Sequence, residues 1–529
     1  MNESMNESKN ESMNEPKSEP KNEPKGESTG LSRRDFIKRS AVAAAFPAAG
    51  AEAATLHNSA QENSAGQRKQ SAGRRKPNIV LYISDQFRWD MVSAYGLNPM
   101  QLTPNLDAMA QQGTLFRSHI TNQPVCAPSR AALFTGQYQN KHGVWRNGFG
   151  LAPDAVTLAT ELRKAGYTAN YIGKWHLAAL EPAKGATADR GRVVPEKRGG
   201  FLDFWEGSNE LEWTSHPYEG EIYDGAGKAI PFSGIYRADF ITDRAKQFLN
   251  TVSEPFLLVI SQLEVHHQND CNCFVGPKEY AGKFTNPFVP GDLRDLPGDW
   301  QKQLPDYCGA VKSIDNSIGE IRKTLAERGL ADDTIFLFLS DHGCHFRTRN
   351  AEYKRSPHES SIHVPLVIQG PGFDRSLEIP ELTSQIDITP TLLSAAGLPV
   401  PPSMQGRSFL PLLERKVKDW RDEVYIQISE VGTGRALRTP EWTYAVMAPG
   451  SGRVTSAASD HYREEYLYNL RADPHQLLNL AGRRDNPGLV HGFSAPPQQA
   501  AAELRERLLA RMVEAGEPKA QVEEREFYP

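Results

Sequence analysis

The sequence predicts an α/β fold: a large mixed, mostly parallel sheet flanked by helices, followed by a smaller C-terminal α+β domain. Three observations predict it. Apolar, β-branched runs of strand length recur through the first two thirds of the chain, and four of them end in polar residues. Helical stretches separate these runs, which is the alternation that builds a parallel sheet. After about residue 405 the pattern changes to short alternating strands and one amphipathic helix.

The first 30 residues open with MNES-type four-residue repeats and carry almost nothing to bury, so they read as disordered. Residues 31–53 look like a twin-arginine signal peptide. Ser32-Arg33-Arg34-Asp35-Phe36-Ile37-Lys38 precedes an apolar run from Ala41 to Ala51, and Ala51-Glu52-Ala53 resembles a small-residue cleavage site. That run is too short to span a bilayer. Residues 54–75, rich in Ser, Gln, Gly and Ala, read as a linker. The signal implies a periplasmic or secreted protein carried by the twin-arginine translocase, a route that usually takes chains already folded.

Residues 76–405 form the larger unit. IVLYISDQ after Pro77-Asn78 is a buried strand ending at Asp85 and Gln86. Thr103-Pro104 opens a helix, with Thr as the cap and Pro in the first turn. Ser129 to Thr135 reads as a second helix. YTANYIGKWH, PFLLVISQLEVHHQND and TIFLFLSDHG repeat the strand with a polar tip, and VPLVIQGPG is a further strand. Thr389-Pro390 caps a helix that stops near Gly397. Residues 406–529 form the smaller unit, with strands in EVYIQIS, RALRTPEWTYAVMA and EEYLYNL. Its helix AAELRERLLARMVEAG places Leu504, Leu508 and Met512 on one face.

A chain of 529 residues with 39% hydrophobic and 24% charged residues can bury a large core. Its formal net charge of -5 gives no reason to expect nucleic acid or a membrane surface as a partner. Of the five cysteines, Cys271, Cys273, Cys308 and Cys344 could form bridges in an oxidising compartment, with a pairing the sequence does not give. Cys126 is then the odd one out.

In open α/β sheets, ligands bind beyond the carboxyl ends of the strands. Asp85 with Gln86, and Asp341 with His342, offer three oxygen donors and an imidazole there, a set suited to a divalent cation. Either Asp alone could simply cap a turn; the matching positions of the two pairs favour a metal site. Cys126 lies near a helix start, where amides and the helix dipole favour an anion and lower a thiol's pKa. Arg130, four positions on, could reach the same point.

Cys126-Ala127-Pro128-Ser129-Arg130, followed by AALFTG, resembles the motif of the type I sulfatases, formylglycine-dependent members of the alkaline phosphatase-like superfamily. PNIVLYISDQ, GKWHL, SDHG, YKRSPHESSIHVPLVIQGPG, QIDITPTLLSAAGLP and the closing EYLYNLRADPHQLLNLA are similar to further blocks of that family in the same order. The resemblance runs from about Pro77 to Ala481. It implies hydrolysis of sulfate esters by a formylglycine that a maturation enzyme makes from Cys126. The hydrated aldehyde attacks sulfur, and its second hydroxyl then expels sulfate by elimination.

The resemblance implies one divalent cation held by Asp85, Gln86, Asp341 and His342, with calcium expected first and manganese or magnesium as alternatives. Arg130 would hold the diol, and Lys174 and Lys354 would bind sulfate oxygens. His176 would help deprotonate the diol. His266 would protonate the leaving alcohol, with His267 as the alternative match. The expected partner is an anionic sulfate ester, with sulfated carbohydrate among the candidates. There are departures. Asp85-Gln86 and Asp341-His342 replace the Asp-Asp and Asp-Asn pairs of many members. They also resemble relatives that cleave phosphonate monoesters and phosphodiesters, the alternative activity for this site. The stretch Phe204–Tyr223, rich in Trp, Glu and Tyr, reads as an insertion that shapes the pocket.

Overall fold

The computed structural model describes residues 76–180, 189–415, 417–450, 456–482 and 496–526. The expected repeat, signal peptide and linker, residues 1–75, lie outside the described residues. No helix among the described residues is long and apolar enough to cross a membrane.

A 12-stranded mixed sheet organises the larger unit. Its central strand, Asn78–Ser84, pairs in parallel with Phe256–Ser261 on one side and Thr334–Ser340 on the other. Thr168–Lys174 continues the parallel set beyond Phe256–Ser261, and Phe204–Ser208 follows it. These five strands therefore point their carboxyl ends at one edge. The sequence of the central strand explains its position. Val80 and Tyr82 enter one core and Ile79, Leu81 and Ile83 enter the other, so both faces are apolar. The helices Arg237–Leu249 and Trp300–Glu327 cover the first face. Cys126–Thr135, Leu158–Lys164 and Ile388–Ala395 cover the second.

The parallel order is confined mainly to this centre. VPLVIQGPG supplies Leu366–Gln369, which runs antiparallel to Thr334–Ser340, and the strands after Phe204–Ser208 are antiparallel hairpins. Helix ends also differ from expectation. The second helix begins at Cys126, a turn before Ser129, so the cysteine is its first residue. Thr103 precedes Pro104–Gln112, but its hydroxyl accepts from the Ser93 N–H at 2.9 Å instead of capping the helix. The helix expected from Thr389 begins one residue earlier, at Ile388.

The smaller unit is a 5-stranded sheet: Val424–Ile428, Gly434–Arg438, Trp442–Met447, His461–Asn469 and Gln521–Glu523. The helix Pro497–Glu514 packs on it through Leu504, Leu508 and Met512. Leu412 and Leu413 pack in the larger core, and the first strand of the small sheet begins at Val424. Of the four cysteines considered for bridges, Cys271 and Cys273 are joined. Cys308 and Cys344 are buried thiols, and burial pushes each up to about 12.

Leu508 is fully enclosed between helix and sheet. Leu508→Ala is expected to cost about 2–5 kcal/mol of stability, from lost transfer energy and the residual cavity, read by denaturant unfolding.

Candidate active site

The shared edge of the parallel strands gathers the chemistry. Ser84 pairs with Ser340, so the next residues on each strand, Asp85 and Asp341, emerge side by side. The helix on the second face presents its first residue, Cys126, to the same edge. Cys126 Sγ lies 3.2 Å from His342 Nε2, 3.7 Å from Asp85 Oδ1 and 2.9 Å from Lys354 Nζ. Ligand atoms of Asp85, Cys126, Asp341 and His342 all fall within 4.8 Å of one another.

Arg130, one turn beyond Cys126, is wholly buried. Its Nε donates to Asp341 Oδ2 at 3.0 Å and its Nη2 to Asp85 Oδ2 at 3.3 Å. Its Nη1 donates to Ser261 Oγ and to the Lys174 carbonyl. The guanidinium thus braces the two carboxylates from behind; its hydrogen bonds do not run to Cys126 itself. Lys174 Nζ sits 2.7 Å from Asp85 Oδ2 and 3.1 Å from Glu212 Oε1. The preceding Gly173, with φ +106, lets its strand close on the next, because a Cβ there would stand 2.0 Å from the Ser261 carbonyl oxygen.

Lys354 Nζ lies 3.0 Å from His342 Nε2 and 3.2 Å from His266 Nε2. His266, not His267, faces the cluster. His267 stacks on Tyr353 and turns its Nδ1 to Gln86 Oε1 at 3.5 Å. His176, with φ +60, lies between Glu210, 3.7 Å from its Nε2, and Glu212, 3.5 Å from its Nδ1.

Electrostatics matches this layout. Burial opposes ionisation of the Cys126 thiol, but Lys174, Lys354 and His342 hold it well below the usual thiol range. Burial also opposes the charge on Asp85, and Lys174 is the main cation that keeps its pKa low. Asp341 is raised by burial and by the charge of Asp85 beside it. A buried carboxylate pair so opposed, with an imidazole alongside, fits a divalent cation. Asp85, Asp341 and His342 are the donors placed for it. Gln86 is adjacent, with a backbone N–H 3.2 Å from Asp341 Oδ1, while its side chain contacts His267 and Cys344.

Sequence reasoning missed Glu210, Glu212 and Ser261. Phe204–Ser208 is a strand of the main sheet, so Glu210 and Glu212 follow a carboxyl strand end as Asp85 and Asp341 do. Ser261 ends another strand of the parallel set. That strand was already recognised by its polar tip, where Ser261 stands.

The sulfatase family model matches residues 77–398, and that of the N-sulphoglucosamine sulphohydrolase C-terminal region matches residues 352–495. The chain belongs to the sulfatase family. It is 30% identical to an arylsulfatase of Clostridium perfringens over 77% of this chain and 90% of that one. It is 26% identical to an ulvan-active sulfatase of Formosa agariphila over 82% of this chain and 83% of that one. A solved structure titled as BT4656 in complex with its substrate D-glucosamine-2-N,6-O-disulfate superposes with a TM-score of 0.64. It is 23% identical, and the match covers 84% of this chain and 98% of that one. The sulfatase is accordingly a sulfuric ester hydrolase with an alkaline phosphatase-like fold.

The opposed carboxylates predict a response to metal. A divalent cation at a hundred times its dissociation constant should stabilise the folded sulfatase by about 2.7 kcal/mol. Thermal unfolding with calcium, magnesium or manganese against a chelator measures this, and Asp341→Ala should abolish the response.

Proposed function

We propose that this sulfatase hydrolyses sulfate esters of carbohydrates through a formylglycine made from Cys126 and one divalent cation, calcium first, held by Asp85, Asp341 and His342 with Gln86 beside them. The observation that carries the reading is the position of Cys126 at the head of a buried helix, within 3.7 Å of Lys354, His342 and Asp85. When present, the cation supplies Lewis-acid polarisation of a sulfate oxygen, and the oxidised residue supplies a hydrated aldehyde as nucleophile.

The chain's own residues do the rest. Lys174 and Lys354 bring two ammonium groups to one buried point, where a sulfate anion relieves their mutual repulsion and orients its sulfur toward residue 126. Arg130 holds Asp85 and Asp341 in the geometry that a cation needs. His266 Nδ1–H donates to the His267 carbonyl at 2.6 Å, which fixes the ring and turns Nε2 toward the leaving alcohol; the imidazolium form gives its Nε2 proton to that alcohol and reverts to the neutral ring. His176 is placed between two carboxylates to take a proton from the nucleophile during release of sulfate.

The carbohydrate class is supported by the similarity to an ulvan-active sulfatase and to a sulfatase-fold structure holding a glucosamine disulfate. A maturation enzyme that oxidises Cys126 and export by the twin-arginine translocase to the periplasm or beyond complete the proposal, the latter on residues 31–53. A phosphonate monoester or phosphodiester would meet the same residues, so comparing turnover of 4-nitrophenyl sulfate and phenyl phosphonate esters decides between the two chemistries.

Cys126→Ala should lower kcat by about a thousandfold or more, and retained turnover would refute the nucleophile. The tryptic peptide carrying residue 126 should show the mass of the aldehyde and not of the thiol. Lys354→Ala should raise the inhibition constant of inorganic sulfate by about tenfold to a hundredfold, through loss of a charged hydrogen bond.

A further inference from the structure

We propose that Glu212 and Trp213 form the leaving-group subsite, selecting alcohols that have a sugar-like ring face and a hydroxyl next to the sulfate ester. The proposal rests on the sulfate-ester reading above and names the part of the substrate that reading leaves open.

Glu212 carries the first half of the argument. Its side chain is 6% exposed, and its Oε1 serves Lys174 at 3.1 Å and approaches His176 Nδ1 at 3.5 Å. Its Oε2 is buried and has no hydrogen-bond partner among the described residues. A buried carboxylate oxygen left unpaired is costly, so a ligand that supplies a donor gains from meeting it. Through Oε1, Lys174 and His176 hold this carboxylate beside the reacting groups. A carboxylate cannot face the sulfate anion that the lysines receive, because like charges repel. It can face the other half of the ester, the alcohol, if that half brings an O–H donor. A simple aryl leaving group brings none.

Trp213 carries the second half. It is 58% exposed, although the Arg190 guanidinium stacks 4.5 Å from its ring centroid. Arg190 in turn pairs with Glu210, whose other oxygen lies 3.7 Å from His176 Nε2. The indole is therefore tied to the reacting end of the site through one guanidinium and one carboxylate. A large apolar ring held in place and left open to solvent is a surface for an apolar ring face. The C–H face of a pyranose offers one, with hydroxyls at its edge for Glu212. His216 Nδ1 meets Asp270 Oδ2 at 2.8 Å, joining this segment to the loop that follows His266.

The test compares kcat/KM for 4-nitrophenyl sulfate with that for glucose and galactose monosulfates, in the wild type, Trp213→Ala and Glu212→Ala. Trp213 is exposed, so its variant tests the subsite without loss of the fold. Trp213→Ala is expected to lower kcat/KM for the best hexose sulfate about tenfold more than for the aryl sulfate. The wild type should favour that hexose sulfate about tenfold or more over its analogue lacking the hydroxyls beside the ester, and Glu212→Ala should erase this preference. Equal losses on both substrate classes, or aryl turnover with no hexose sulfate accepted, would overturn the subsite and leave the hydrolase reading intact. Failure of the wild type on every sulfate ester would instead remove the reading on which the subsite rests.

Discussion

The pairing of Ser84 with Ser340 at the carboxyl ends of two adjacent parallel strands is the constraint on which the site depends. It forces Asp85 and Asp341 into contact range in a place closed to solvent, where two negative charges cannot coexist unaided. Every neighbour answers that demand. Arg130 reaches both carboxylates, Lys174 pairs with one of them, and His342 lies within 3.6 Å of both. The register of a backbone ladder thus sets the electrostatics of the centre. The apolar alternation of Asn78–Ser84 fixes that register by anchoring the strand in two cores at once.

The ladder also explains how much of the molecule the sequence disclosed. Strands buried on both faces are long apolar runs, and their polar tips stand out, so Asp85, Gln86, Asp341 and His342 were legible as one edge before any coordinates. Cys126 and Arg130 were legible as a helix start, while Lys174, His176, His266 and Lys354 came from motif resemblance, and the fold brings them to that edge. What stayed hidden is of two kinds. Phe204–Ser208 contains Trp, Glu and Gly and has no aliphatic run, so nothing in its composition announced a sheet strand, and Glu210 and Glu212 were lost with it. The choice between His266 and His267 depends on which ring Tyr353 stacks against, a tertiary contact without a local signal. The missing side-chain cap at Thr103 has a related reason: its hydroxyl has a competing partner in the Ser93 amide.

The charge arrangement divides the site into two halves of opposite character. Lys354 and His266 lie with Cys126 on one side, while Glu210 and Glu212 flank His176 on the other. Lys174 touches both halves through Asp85 and Glu212. An ester is likewise divided, with an anionic group at one end and an alcohol at the other. The site's polarity therefore fixes the direction in which such a molecule can enter.

The depth of Cys126, with 1% of its surface exposed, has a consequence for biogenesis. A modifying enzyme cannot grip a side chain enclosed by Asp85, His342 and Lys354, residues that lie up to 228 positions apart in the chain. On the proposed chemistry the oxidation must precede closure of the sheet, while residue 126 is still on an open polypeptide. Translation, oxidation and collapse then form a fixed timetable, with the proposed export after them. A chain that folds too fast would be intact in shape and inert.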